Sequence, residues 1–266
     1  MPHNIFLCSP VILALIAALI TWFFTILGSA TVVFFKKVNK NVMDIMLGLA
    51  AGVMLAASYW SLLEPGIQNA SLEGQVPFIV ASLGFLSGAT LIILSDKLIN
   101  KVTKKYDINT KNKLERSMML IFSITVHNIP EGLAVGLAFG SMGNVINETV
   151  LVSAFVFALG IAIQNFPEGA AVSLPLRREG FTRWRAFVLG GLSGIVEPIS
   201  AVIGALLVLK IKSILPFFLC FAAGAMVFVV VKELIPESQN NKNKNLITFF
   251  TIIGFVIMMI LDVSLG

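Results

Sequence analysis

Charge, thiol and imidazole are all scarce in this chain. Charged residues make up 12% of its 266 positions, where a typical soluble domain carries about a quarter. That shortage leaves no room for a sizeable aqueous domain. A hydrophobic share of 57% and a mean hydropathy of +0.93 place the chain in lipid instead. Two cysteines, Cys8 and Cys220, are too few for a disulfide framework or a thiolate zinc knuckle. They are also too few for copper(I) or an iron–sulfur cluster. The absence of any HExxH phrase, with His127 the only histidine inside an apolar run, speaks against an intramembrane zinc-dependent hydrolase, which is the alternative function. The net charge of +5 sits in short loops between apolar runs and does not suggest nucleic acid as a partner. Met1 to Pro10 lacks the basic stretch of a cleaved signal peptide, so the first apolar run reads as a retained helix.

What the chain does have is apolar length. A bilayer is crossed by about 20 apolar residues in a helix. On that ruler eight spans fall at 10–35, 43–63, 77–98, 117–140, 147–174, 185–209, 214–236 and 246–265. The expected fold class is an all-α membrane protein, with residues 1–266 forming a single polytopic domain in the lipid bilayer. The one long connection, 99–116, reads as a mobile basic cytoplasmic loop. Basic residues gather after spans one, three, five and seven, from Lys36, Lys37 and Lys40 through Arg177, Arg178, Arg183 and Arg185 to Lys242 and Lys244. The opposite side holds only Lys210 and Lys212. Positive residues stay in the cytoplasm, so the expectation is a multi-pass protein of the cell (plasma) membrane with both termini outside.

Short phrases recur along the chain. His127-Asn128-Ile129-Pro130-Glu131-Gly132 in span four is echoed by Gln164-Asn165-Phe166-Pro167-Glu168-Gly169 in span five. Ala50-Ala51-Gly52-Val53-Met54 in span two matches Ala222-Ala223-Gly224-Ala225-Met226 in span seven. Gly84-Phe85-Leu86-Ser87-Gly88 in span three resembles Gly190-Gly191-Leu192-Ser193-Gly194 in span six. The pairs 4/5, 3/6 and 2/7 cross the membrane in opposite directions. That is the inverted internal pseudo-symmetry of many secondary transporters, whose ligands bind at midplane where the repeats meet.

The two echoed phrases carry the chemistry. Residues four apart share a helix face, so His127 aligns with Glu131 and Gln164 with Glu168. Asn128 and Asn165 lie about 100° round from those faces, which gives each helix a second direction for donors. Pro130 and Pro167 remove backbone donors, and the glycine after each Glu admits a close backbone neighbour. Glu197, near the middle of span six, is a third carboxylate at membrane depth. An ionisable group there needs a partner or a wet cavity and reads as functional. Imidazole, carboxylate and amide oxygens together suit a borderline divalent ion such as Zn²⁺. Three carboxylates against one dication leave a negative remainder, to be met by a second metal or by protons. Glu64, Glu233 and Glu237 stand at span ends, where charges are usually solvated.

At these residues the chain resembles the ZIP (Zrt-/Irt-like) family of divalent metal transporters, in its prokaryotic form. The likeness covers essentially the whole chain, from HNIPEG in span four and QNFPEG in span five to AAGAM and ELIPES in span seven. It implies that Zn²⁺, or another divalent transition metal such as Fe²⁺, Mn²⁺ or Cd²⁺, is the transported substrate and moves into the cytoplasm. It also implies a two-metal centre between spans four, five and six, with His127, Glu131, Gln164 and Glu168 in the primary site. Asn128, Asn165 and Glu197 fall in the adjacent site, bridged by Glu131 and Glu168. A homodimer is implied too, as is motion of spans one, four, five and six against the other spans. Two features depart from the family pattern. Asn165 stands where some bacterial relatives carry Asp, and the segment after span three lacks the His-rich tract of many eukaryotic members.

Overall fold

In lipid every backbone amide needs an internal partner, so a chain this apolar has little choice but helix. The computed structural model describes residues 9–34, 40–105, 113–143, 148–210, 212–239 and 243–265, and among them no strand occurs. Span one is helix α1 (Pro10–Phe34). Span two joins α2 (Lys40–Ala57), a π-helical turn (Ser58–Leu63) and α3 (Glu64–Leu72). Helices α4 (Pro77–Lys105), α5 (Lys113–Gly140) and α6 (Glu148–Arg178) form spans three to five. Span six is broken into α7 (Arg183–Leu192) and α8 (Val196–Lys210). Span seven comprises α9 (Leu215–Val229), a second π-helical turn (Val230–Leu234) and α10 (Ile235–Ser238), and α11 (Lys244–Leu265) is span eight.

Seven of these spans are long and apolar enough to cross a membrane among the described residues, and α5, with 28 residues, supplies the eighth at that length. Helix α4 runs on to Lys105 and α5 begins at Lys113, so both ends of the expected 99–116 loop are helical. Positions 106–112 lie outside the described residues. At the turn after α6, Gly180 takes φ 100°, a left-handed conformation that favours glycine.

Packing divides the eight spans into two groups. In one, α1 lies along α6 and α5 along α8, with α1 also touching α7 and α8. In the other, α2 lies along α11 and α4 along α9. Glycine explains these partnerships, because lipid offers no hydrophobic drive between helices and close contact has to replace it. A Cβ on Gly28 would sit 1.8 Å from the Phe166 carbonyl oxygen, and one on Gly169 would sit 2.0 Å from that of Thr25. In the second group the corresponding distances are 1.9 Å from Gly88 to Phe221 and 2.0 Å from Gly224 to Phe85. Among the described glycines, every backbone approach of this kind stays inside one group. Across the boundary, Gly160 of α6 meets only side chains, those of Met258 and Val53.

These contacts recur when span one is exchanged for six, two for seven, three for eight and four for five. The π-helical turns agree: they open at Ser58 and Val230, each eight residues beyond the matched Ala50 and Ala222. Each turn is followed two residues later by a proline, Pro65 or Pro236, whose missing N–H the wider turn accommodates. In this exchange of contacts span four goes with five and span two with seven. It matches span three with eight rather than with six. The Gly-Ser phrases of spans three and six mark close packing against different neighbours, α9 for Gly84 and Gly88 but the Ser29 hydroxyl of α1 for Gly190.

This division sets the cost of filling a glycine. Gly88→Val should destabilise the protein by about 3 kcal/mol or more, because backbone rather than a side-chain tip blocks the new atoms. Gly160→Ala should cost under about 1 kcal/mol, since the flexible Met258 end can move aside. Thermal unfolding of the purified variants in detergent checks both values.

Candidate metal centre

Span six breaks where it is least expected in lipid, at Ser193–Ile195. Pro198 cannot donate to the preceding turn, and the run from Gly190 to Gly194 opposes helix weakly. The carbonyls released at the end of α7 find donors from other helices. The Trp22 indole Nε1 donates to the Gly191 oxygen at 2.7 Å, and Asn128 Nδ2 donates to that of Ser193 at 3.1 Å. Ser193 Oγ donates to the Gly190 oxygen at 2.7 Å. The break also starts α8 at the centre of the bundle, with Glu197 in its first turn.

The echoed phrases meet around that start. Pro130 lies inside α5 and Pro167 inside α6, and both helices continue through them. Gly132 lets α8 close in, because a Cβ there would stand 2.3 Å from the Glu197 carbonyl oxygen. Gly169 does the same for α1. Asn128, Glu131, Gln164, Asn165 and Glu197 are all buried, with at most 1% exposure, whereas Glu168 is half-buried. The backbone of His127 lies in α5, one helical turn before Glu131, and its side chain is outside the described residues.

Two hydrogen-bonded clusters result. Gln164 Nε2 donates to Glu131 Oε1 at 2.9 Å, tying α6 to α5. Asn165 Nδ2 donates to Glu197 Oε2 at 2.7 Å and to the Thr21 carbonyl at 3.2 Å, tying α6 to α8 and α1. Thr21 Oγ1 donates to the same Glu197 Oε2 at 2.7 Å, and Thr25 Oγ1 lies 3.5 Å from Oε1. Among the described residues, no three acidic, histidine or cysteine side chains gather closely enough to hold a metal by themselves. The donor set that does gather is mixed, amide with carboxylate.

Every amide nitrogen of that set is spent on a protein acceptor, while its oxygens are not. Among the described residues, buried side-chain atoms without a hydrogen-bond partner include Asn128 Oδ1, Glu131 Oε2, Gln164 Oε1 and Asn165 Oδ1. A buried polar atom left unpaired costs about 1–3 kcal/mol, and more if charged. Four buried acceptor oxygens contributed by two adjoining helices are what a cation would satisfy, so these residues fit a divalent metal ion.

Thr21, Thr25 and Trp22 were not among the residues expected from the sequence, nor was the pair in which Ser61 Oγ donates to Asp262 Oδ1 at 2.7 Å. A signal for α1 was present. Thr21, Thr25 and Ser29 recur every four residues, all buried on one face of an apolar helix. Ser29 uses its hydroxyl on the Phe187 carbonyl at 2.8 Å.

Known proteins match this chain closely. A family model described as ZIP zinc transporter matches residues 100–262. The chain is 39% identical to zinc transporter ZIP11 of Xenopus tropicalis over 97% of its own length and 98% of that protein. It is 33% identical to zinc transporter GufA of Myxococcus xanthus, with 95% and 98% covered. Zinc transporter ZIPB of Bordetella bronchiseptica is 34% identical, over 91% of this chain and 78% of that protein.

Trp22→Phe tests the account of the helix break. Losing the indole donor leaves a buried carbonyl unpaired, so stability should fall by about 1–3 kcal/mol. Metal affinity should stay near that of the unaltered protein. Parallel unfolding and metal titration in detergent would read both.

Proposed function

This chain belongs to the ZIP zinc transporter family, and from that premise we propose that it carries Zn²⁺ into the cytoplasm through the centre where α5, α6 and α8 meet. It is a multi-pass membrane protein, and its family is one of transport proteins rather than enzymes. The hydrolase alternative is set aside on that ground. The observation that carries the proposed route is the set of four unpaired, buried acceptor oxygens, all contributed by the two echoed phrases.

In this reading His127, Glu131, Gln164 and Glu168 take the ion first. Their oxygens and imidazole replace part of its hydration shell, and the two carboxylates balance its charge. The same donors suit Fe²⁺, Mn²⁺ and Cd²⁺ as well. Asn128, Asn165 and Glu197 border the adjacent flank, which the family resemblance assigns to a second ion. The group holding α1, α5, α6, α7 and α8 then moves as one body against the group holding α2, α4, α9 and α11. Support for two bodies comes from the glycine contacts, which lock helices within each group and leave side chains between the groups.

Two outcomes follow for the purified protein. In zinc-loaded proteoliposome assays, Glu131→Ala combined with Glu168→Ala should lower flux roughly 100-fold, as expected from losing about 3 kcal/mol of charged interaction. Undiminished saturable uptake by a well-folded double variant would refute the route. Separately, Zn²⁺ at about 100 times its Kd should stabilise the unaltered protein by about 2.7 kcal/mol against unfolding, and the double variant should show none of this gain.

A further inference from the structure

Glu197 is the carboxylate that the charge balance does not need. Glu131 and Glu168 already neutralise one dication, yet a third carboxyl group lies wholly buried beside them, with 0% exposure. A buried carboxylate has to be compensated by something. Here the compensation comes from the protein. Thr21 and Asn165 each donate to Oε2 at 2.7 Å, and the Thr25 hydroxyl stands 3.5 Å from Oε1. Glu197 also occupies the first turn of α8, where the positive end of the helix dipole favours a negative side chain. A Cβ on Gly194 would press on Oε1 at 2.9 Å, so the glycine leaves room for the carboxylate to fold back over the helix start.

The contrast with its neighbours is sharp. Asn128, Glu131, Gln164 and Asn165 each keep a buried oxygen without a donor, whereas both Glu197 oxygens have donors at hand. The identity of residue 165 decides this. An amide can donate to Glu197; a carboxylate in its place would repel it and call for a cation between the two.

We propose that Glu197 is a positioning residue rather than a ligand of the transported ion, held by Thr21 and Asn165, and that the centre of this chain therefore takes one dication. The inference rests on the proposed transport site and narrows it. Glu197 clamps α1 and α6 onto the start of α8, and the negative remainder of the three carboxylates is met by hydrogen-bond donors.

Calorimetric titration of Zn²⁺ into the full-length protein in detergent tests this, with each variant first checked for monodisperse elution. Glu131→Gln is the control for the site itself: it should weaken binding about 100-fold, and unchanged binding would sink the proposed site. Glu197→Gln should bind the same number of Zn²⁺ ions as the unaltered protein, with affinity within tenfold. A greater loss, or one ion fewer, would overturn the assignment of Glu197. Asn165→Asp should bind one additional Zn²⁺ per chain, a change that a purely structural role for residue 165 would not produce. An unaltered count in Asn165→Asp would overturn the proposal even if Glu197→Gln failed to fold.

Discussion

A polar atom buried in lipid must be answered by a donor, an acceptor or an ion, and the centre of this molecule is organised by that demand. Water is not there to make up a shortfall. The break in span six would be untenable without Trp22 and Asn128, which reach the freed carbonyls from α1 and α5. Supplying those donors fixes the amides with their oxygens turned elsewhere. Asn128 gives its nitrogen to Ser193, Gln164 to Glu131 and Asn165 to Glu197, and each keeps an unpaired oxygen. Asn128 thus both repairs the broken helix and, like Gln164 and Asn165, keeps an acceptor oxygen free.

Proline acts differently in the three helices that meet at the centre, and the difference comes from the neighbours. Pro130 and Pro167 are carried within continuous helices, while Pro198 stands just past a break. Before Pro198 the chain is glycine-rich, and external donors are ready to receive the released carbonyls. Where helix is weak and replacement partners exist, the cost of stopping is low. The consequence is a helix N-terminus at membrane depth with Glu197 in it, an arrangement that a continuous span could not provide.

Much of this was legible in the sequence, and what was not has a physical reason. Carboxylates and amides at helical spacing inside apolar runs have few structural uses, so the echoed phrases singled out α5 and α6, and Glu197 singled out the middle of span six. The hydroxyls of α1 carried less information. Thr and Ser in apolar helices commonly bond their own preceding turn, as Thr125 does to Ile121 at 2.8 Å and Ser58 to Met54 at 2.7 Å. Thr21 lies 3.0 Å from the Ala18 carbonyl in just this way, and nothing in the letters says that its hydroxyl also reaches Glu197, at 2.7 Å. The pairing of span three with six failed for a related reason. Glycine and serine phrases announce a close approach without naming the helix that approaches.

The separation into two groups bears on how a tightly held ion could travel at all. Glu131, Gln164, Asn165, Glu197 and Thr21 all lie on helices of one group, so the hydrogen bonds joining them are internal to a single packed body. Moving that body against the other would leave those bonds unstretched, because glycine contacts hold α1 to α6 and α5 to α8 at backbone distance. The boundary is of another kind. At Gly160 it consists of the Met258 thioether and a Val53 methyl, and the flexible thioether can exchange one neighbour for another at small cost. On the proposed route, a rigid set of donors on one side and a compliant surface on the other would reconcile firm coordination with passage through the bilayer, since the ion would not have to leave its ligands for the protein around it to move.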